Sequence, residues 1–461
     1  MQAYKTKNLD AECVGVLKNK GENMRFFETG ITVLGAIGTL LTILYAYKAI
    51  FFLVGFFRYK KFKPTENKHK YAICVPARNE EKVIKNFLES VKNQDYPLEK
   101  VTVFVIANNC TDNTAQVARD FDGGKLNVIV YERDNDSERT KGFALKYLFE
   151  QIQKDYGIET FDGYFIFDAD NVILEDYLTK MNEAFDEGNK IITSFRNSKN
   201  VNQNWISFSY AMHWLRTCLT ENRGKSVLNQ ACRIQGTGFL FANELVKNGW
   251  IYTSLTEDRS FCTDAVVQNY RITYCDEAVF YDEQPYTLKV AFRQRIRWAK
   301  GHLQSTVENC PKLLKNMFNP KKTFTTTYDC FFLNFPRSLE AGIRRVLKYI
   351  FQLVIAIHTA EIAGWFWGIS IGYLSGRILP WIRQMLIEVA VFIKYGKRIE
   401  KGKPLRTLFH IVMFPFFDVI GKWSTYIAVF KKVEWKPIPH DTVMDVEKLK
   451  KQDTQNFVKK S

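Results

Sequence analysis

Between residues 71 and 300, apolar runs rich in Val and Ile alternate with amphipathic stretches, and this limits the available folds more than any other feature. Tyr71–Val75, Val101–Ala107, Asn127–Val130 and Tyr164–Phe167 read as strands. Glu80–Asn93, Thr114–Phe121 and Phe143–Lys154 read as helices. The alternation predicts an α/β fold, a mostly parallel sheet covered on both faces. Ligands of such sheets bind in the crevice beyond the carboxyl ends of the strands. Polar signatures at 76–80, 108–112 and 168–170 stand just after three of the strands, so one crevice can collect them.

The flanks have a different character. Ile31 to Phe57 is apolar apart from Lys48, longer than the roughly 20 residues that cross hydrocarbon. It lacks a small-residue cleavage site and is too long for a signal peptide. A transmembrane helix is expected over 30–57 after an N-terminal segment 1–29, with Lys48 snorkelling to the interface. A soluble domain is expected over 64–325, interfacial and transmembrane helices over 326–440, and a charged tail over 441–461. Within 326–440, Phe331–Arg345 reads as an interfacial helix. Tyr349–Leu374 and Ile378–Tyr395 read as spans, the second holding Pro380 and Arg383. Leu408–Phe430, with Pro415, Asp418 and Lys422, can span, re-enter or lie in the interface.

Charge sorts the partners. The chain carries 65 Lys+Arg against 49 Asp+Glu, net +16, which suits nucleic acid, anionic lipid or a phosphorylated substrate. Much of the excess follows apolar segments, as Arg58, Lys60, Lys61 and Lys63 do, and again Lys394, Lys397, Arg398, Lys401 and Lys403. That is the positive-inside pattern. It predicts a multi-pass protein of the plasma membrane, with lipids as partners and the 64–325 domain cytosolic. No nucleic-acid-binding module accompanies the charge, so no nucleic-acid partner is expected. The 9 cysteines are scattered without a CxxC pair, which argues against a disulfide framework and a zinc site.

Four signatures follow in order: Cys110-Thr111-Asp112, Asp168-Ala169-Asp170, Thr256-Glu257-Asp258 and Gln294-Arg295-Ile296-Arg297-Trp298. Two carboxylates at i and i+2 after a strand can divide one task. One meets a ribose or base, and the other binds a hard cation bridging a diphosphate. The plain alternative is an acidic turn. Glu257 and Asp258 supply further carboxylates, one of which can accept a proton from an attacking hydroxyl. They also suit a helix start capped by Thr256. Gln294 to Trp298 lies in a probable helix over 287–304. There arginine can clamp a diphosphate bidentately and Trp298 offers a flat face to a ring. Its alternative is a basic helix on anionic lipid. Glu80, after the first strand, can hold a uracil or ribose. Lys141 can meet phosphate or base, and the compact Gly236-Thr237 allows close approach to its backbone. Trp435 to His440 ends the apolar region as a Pro-rich exit or a gate. His213 and His302 have no partner that the sequence reveals.

Together these residues resemble the membrane-embedded family 2 glycosyltransferases, the group of cellulose, chitin and hyaluronan synthases, over roughly 70–305. The resemblance implies a GT-A fold and inverting transfer from a UDP-sugar with Mg2+ or Mn2+. It implies Asp170 as metal ligand, Asp168 facing the nucleotide and Asp258 as base. Arg297 and Gln294 would contact the diphosphate, and Trp298 would floor the acceptor site. The family usually places an acidic residue after the second strand to hold the uracil. Here Asn108 stands there, able to hydrogen-bond a base but lacking the charge. The expected activity is processive synthesis of a β-linked polysaccharide on a glycan acceptor. The alternatives are single-sugar transfer to a lipid-linked or cell-wall acceptor, and a non-catalytic membrane scaffold.

Overall fold

The computed structural model describes residues 24–359, 361–399, 402–433, 440, 442 and 443. It forms two compact units. One comprises Lys48–Phe335 with Met385–Ser461, and the other Met1–Tyr47 with Pro336–Gln384.

The larger unit holds eight strands: β1 (Tyr71–Ala77), β2 (Val101–Asn108), β3 (Asn127–Arg133), β4 (Gly163–Ile166), β5 (Val172–Ile173), β6 (Ile191–Ser198), β7 (Phe239–Ala242) and β8 (Ile272–Asp282). They form one sheet in the order β3-β2-β1-β4-β7-β6-β8-β5. β1 pairs in parallel with β2 and β4, β2 with β3, and β6 with β8. β7 runs antiparallel to β4 and β6, and β5 antiparallel to β8. The expected strands form within three residues of their predicted ends. β5, β6, β7 and β8 were not anticipated.

Strand periodicity builds the core. Tyr71, Ile73 and Val75 point to one face, with Val101, Val103 and Val105, and meet Ile84, Phe87, Leu88 and Val91 of helix α1 (Ile84–Lys92). Ala72, Cys74, Phe104 and Ile106 point to the other, against Ala144, Leu145, Leu148 and Phe149 of helix α2 (Lys141–Asp155). Because both faces are covered, the strands read as continuous apolar runs. Residues 80 to 83 form a turn rather than the start of α1.

Helix α3 (Trp205–Thr217) continues into a π-helical turn at Cys218–Arg223. Helix α4 (Glu257–Val267) precedes β8, helix α5 (Leu288–Met317) passes through Pro311, and helix α6 (Phe324–Asn334) follows. The interfacial helix expected over Phe331–Arg345 is two helices. Pro336 disfavours helical backbone at the residue before it, and Phe335 adopts φ −63° and ψ 129°. The chain after Met385 returns to the sheet. Asp276 of β8 receives Arg223 at 3.1 Å and Arg398 at 3.3 Å, and Asn197 of β6 donates to the Arg398 carbonyl at 2.6 Å. Helix α7 (Pro404–Phe430) packs on α5, where the Arg295 guanidinium donates to the Phe417 carbonyl at 2.7 Å.

The smaller unit pairs the first half of the apolar Met24–Phe57 helix with the Arg337–Thr359 helix. The expected span Tyr349–Leu374 is broken, since one helix ends at Thr359 and the next, Ile362–Tyr395, begins at Ile362. Ile378–Tyr395 forms the second half of that long helix, which carries Pro380 inside it. Among the described residues two helices are long and apolar enough to cross a membrane, Met24–Phe57 and Pro404–Phe430. The expected tail over 441–461 lies outside the described residues, apart from 442 and 443, as does Trp435 to Pro439.

Candidate active site

A cavity of about 250 Å³ opens beyond the strand ends of the larger unit. Eleven of the twelve residues given a catalytic, substrate-binding or metal role above line it: Glu80, Asn108, Lys141, Asp168, Asp170, Gly236, Glu257, Asp258, Gln294, Arg297 and Trp298. The twelfth, Thr237, does not. It is 1 % exposed and works from behind the wall. Its hydroxyl accepts from the Asp168 amide at 2.9 Å and donates to Asn171 at 2.5 Å. Thr237 therefore fixes the acidic turn after β4.

That turn gives its two carboxylates different surroundings. Asp170 is buried and accepts from the Asn171 amide at 3.2 Å and the Glu283 N–H at 2.9 Å. Burial alone would raise its pKa, but His440, Lys199 and the Glu283 amide hold it below the ordinary value. Asp168 is more open. It pairs with Lys141 at 2.5 Å, and the Lys141 ammonium also donates to the Gly236 carbonyl at 2.9 Å. Gly236 sits at φ 88°, where only glycine is relaxed, and this aims its carbonyl at Lys141.

Glu257 and Asp258 occupy the first turn of α4, where the helix dipole favours negative charge. Thr256 makes no side-chain cap, contrary to one expectation. Its side chain is turned onto Gly301 of α5, where an added Cβ would lie 2.5 Å from its hydroxyl oxygen. Glu257 lies 3.9 Å from Lys141. Burial and the neighbouring Asp258 push its carboxyl up to about 7 against the pull of Lys141.

The helix expected over 287–304 runs on to Met317. Its 3.6-residue repeat puts Gln294, Arg297 and Trp298 on one face and sends Arg295 elsewhere, to Phe417. The Arg297 guanidinium donates to the Leu255 carbonyl at 3.0 Å, bracing the segment before α4. Trp298 meets Tyr210 and Trp214 edge to face, at 6.0 Å and 5.6 Å between ring centres. The Gln294 carbonyl oxygen is buried with no hydrogen-bond partner among the described residues. A buried polar atom of this kind is costly unless something satisfies it.

Other residues belong to the cavity without having been expected. Arg196 lies 3.7 Å from the centre of the Trp214 ring, pairs with Asp282 and donates to the Gln235 carbonyl. Glu283 lines the wall and accepts from the Thr442 amide at 2.8 Å. His440 reaches Glu80 at 3.0 Å. Burial lowers an imidazole pKa, but the Asp170 and Glu80 carboxylates outweigh it and carry His440 up to about 10. Burial raises Glu80 to about 7 despite His440. Asp282 ends β8 and Glu283 follows it, a placement like that of Asp168-Ala169-Asp170, but it shows only once β8 is recognised as a strand. Nothing local marks Arg196, and His440 is marked only as the end of a Pro-rich exit or gate. His213 also lines the cavity, whereas His302 bonds the Asn334 carbonyl at 2.9 Å away from it. Asp112 does not reach the cavity. It accepts from Glu81 and Thr114 amides at 3.2 Å and 3.1 Å and ties two loops together.

The donor set can be tested against a divalent cation. Among the described residues no group of three His, Cys, Asp or Glu side chains is placed to cage one. Mg2+ is typically held by one or two carboxylates together with substrate phosphates. Asp168 and Asp170, two residues apart on one cavity wall, fit that shared kind of site.

The sequence profile described as "Glycosyltransferase like family 2" matches residues 69–301, which carry all of these lining residues except His440. The chain belongs to this family. It is a glycosyltransferase, and its mostly parallel mixed sheet with flanking helices is the GT-A fold. Among relatives of this glycosyltransferase is Probable glycosyltransferase YdaM of Bacillus subtilis, 23% identical over 392 residues, 80% of this chain and 83% of that one. Poly-beta-1,6-N-acetyl-D-glucosamine synthase of Staphylococcus epidermidis is 25% identical over 362 residues, covering 77% and 81%. Beta-monoglucosyldiacylglycerol synthase of a Nostoc species is 26% identical over 265 residues, covering 55% and 53%. The mannosyltransferase PcManGT of Pyrobaculum calidifontis shares the fold with TM-score 0.52 at 16% identity, over 80% of this chain and 98% of that chain.

Proposed function

We propose that this glycosyltransferase moves a sugar from a UDP-sugar to a hydroxyl acceptor with inversion, building a β-linked polysaccharide at the cytosolic face of the plasma membrane. The observation that carries the reading is the convergence of Asp168, Asp170, Asp258, Gln294, Arg297 and Trp298 on one cavity. The polysaccharide part is supported by a Staphylococcus epidermidis relative, named as a poly-N-acetylglucosamine synthase, aligned over 77% of the chain. The membrane part is supported by the apolar Met24–Phe57 and Pro404–Phe430 helices.

In this reading Asp258 accepts the proton of the attacking hydroxyl as that oxygen closes on the anomeric carbon. Glu257 sits beside it, buried against Lys141, and sets the local field. Arg297 faces the departing diphosphate and offsets its growing charge. The unsatisfied Gln294 amide oxygen takes a donor from the bound donor molecule. Trp298 gives the acceptor ring an apolar floor held by Tyr210 and Trp214. Glu80 and Asn108 meet the nucleoside, and Gly236 lets the sugar approach the backbone. Mg2+ or Mn2+ would be held by Asp170 with Asp168 and would neutralise diphosphate charge; PcManGT is described in complex with GDP-Man and Mn2+.

The test is UDP release and product length from the detergent-solubilised full chain with a panel of UDP-sugars. Metal-dependent UDP release with a polymeric product is expected. Asp258→Asn should lower turnover about 100-fold or more while UDP binding persists. A single-sugar product would move the reading to a lipid-linked or cell-wall acceptor. Absence of UDP release with every sugar would overturn it.

A further inference from the structure

The smaller unit contains a second cavity, also about 250 Å³. One side is basic, with Arg344, Arg345 and Lys348 of the Arg337–Thr359 helix. The other is apolar and open, with Leu34, Gly35 and Ile369.

Three contacts show how the cations reach an apolar helix. Arg337 lies over the Tyr45 ring at 4.2 Å. An added Cβ on Gly38 would meet the Arg344 guanidinium at 2.4 Å, and one on Gly30 would meet the Phe351 ring at 2.4 Å. Residues 337, 344 and 351 thus descend past 45, 38 and 30, and the two helices run antiparallel. The basic turn is held against a segment with mean hydropathy 2.0. Positive charge beside membrane hydrocarbon is expensive unless paired. Arg344 has Glu340 at 2.8 Å. Among the described residues no carboxylate pairs with Arg345 or Lys348. The Gln352 side-chain oxygen, also on the wall, is buried without a hydrogen-bond partner.

We propose that this cavity binds the phosphate headgroup of an anionic membrane lipid. Arg345 and Lys348 pair with the phosphate, Gln352 accepts from a headgroup hydroxyl, and the acyl chains leave past Leu34 and Ile369. Basic pockets between membrane helices bind such headgroups. A soluble anion would satisfy the cations but leave the apolar side uncovered. The proposal rests on the membrane reading given above and adds a ligand and a site to it.

The experiment is native mass spectrometry of the full chain in detergent, titrated with dioleoyl phosphatidylglycerol, dioleoyl phosphatidylcholine or inorganic phosphate. One phosphatidylglycerol should be retained in preference to phosphatidylcholine. Arg345→Gln and Lys348→Gln should each weaken it roughly fivefold, the scale of one basic residue at an anionic headgroup, and Arg345→Lys should retain it. Gly372→Leu, at a wall position with nothing within 4 Å of an added Cβ, should fill the space and weaken binding with every charge intact. Equal retention by wild type and the Arg345→Gln/Lys348→Gln double variant overturns the proposal, as does equal binding of phosphatidylcholine. Inorganic phosphate bound as tightly as the lipid makes it a free-anion site and overturns the lipid assignment. Carbonate washing of membranes separates the two readings. A chain released by carbonate refutes membrane insertion and this site together, whereas a retained chain without lipid preference refutes the site alone.

Discussion

At the residue scale the cavity holds carboxylates in opposed states. Asp170 is held below its ordinary pKa by His440 and Lys199 despite burial. Glu257 is pushed up to about 7 by burial. A carboxyl whose folded pKa lies above its unfolded value adds stability below the unfolded value and loses it as pH rises through the folded one. Glu257→Gln should therefore flatten the stability profile. Its melting temperature should match wild type near pH 4 and exceed it above about pH 7. A variant less stable than wild type at pH 8 would mean that the Lys141 contact outweighs burial. Arg297 and Trp298 should fail differently, because they face different parts of the substrate. Arg297→Ala should depress UDP release with any acceptor. Trp298→Ala should spare donor hydrolysis by water while sugar incorporation collapses. Equal loss of both activities in both variants would make the pair one structural clasp. Sequence could point to Asp170 because it follows a strand, to Glu257 because it starts a helix, and to Arg297 and Trp298 because they share a helix face with Gln294. It could not join Arg196 or His440 to the partners Asp282 and Glu80, which lie 86 and 360 residues away.

Elements carry the site through their packing. The start of α4 holds Glu257 and Asp258, and its position depends on the absence of a side chain at Gly301. An added Cβ there would lie 2.5 Å, 2.6 Å and 3.0 Å from Oγ1, Cγ2 and Cβ of Thr256. Gly301→Ala should thus cost about 1–3 kcal/mol, the scale of overpacking, and lower turnover more than donor affinity. Thr256→Ala in the same chain should restore much of both, since it removes the two nearest atoms. Failure of that rescue, measured by thermal melts and UDP release, would place the damage elsewhere in α5. The elements also explain what was legible. β1 and β2 are buried on both faces and announce themselves as Val and Ile runs. β6 is equally buried, yet it reads IITSFRNS, because Thr193, Ser194, Arg196, Asn197 and Ser198 are all polar and inside. Partners such as Asp282, Gly238 and Arg398 satisfy several of them, and no hydropathy pattern reveals such partners.

At the scale of the whole molecule, the sequence suggested a transferase domain ending near 325, and the packing points to a longer unit. The chain beyond Met385 places charged and polar groups into the sheet side of the fold. Glu388, fully buried, meets Arg216 at 3.2 Å. Arg398 reaches Asp276, already bonded to Arg223, and lies 3.9 Å from the Phe195 ring. Arg295, in the Gln294–Trp298 segment, spends its guanidinium on the Phe417 carbonyl. Removing residues after 325 strips Arg216 and Arg295 of these partners and bares the apolar surface of α5 that meets α7. Breaking a buried ion pair by deleting one partner costs about 3–5 kcal/mol, and two of the contacts here lie on charged groups. Marginal stability of about 5–15 kcal/mol for a whole domain leaves little room for that loss. A fragment of residues 64–325 should therefore be soluble only as aggregates or lack a cooperative melt, whereas the full chain in detergent melts cooperatively. A monodisperse fragment that melts cooperatively and binds UDP like the full chain would show that the returning segment is a passenger. The same logic accounts for the position of His440. It reaches the cavity only because the chain, after leaving the sheet at β8, comes back through Arg398 and α7 to the place where Glu80 waits.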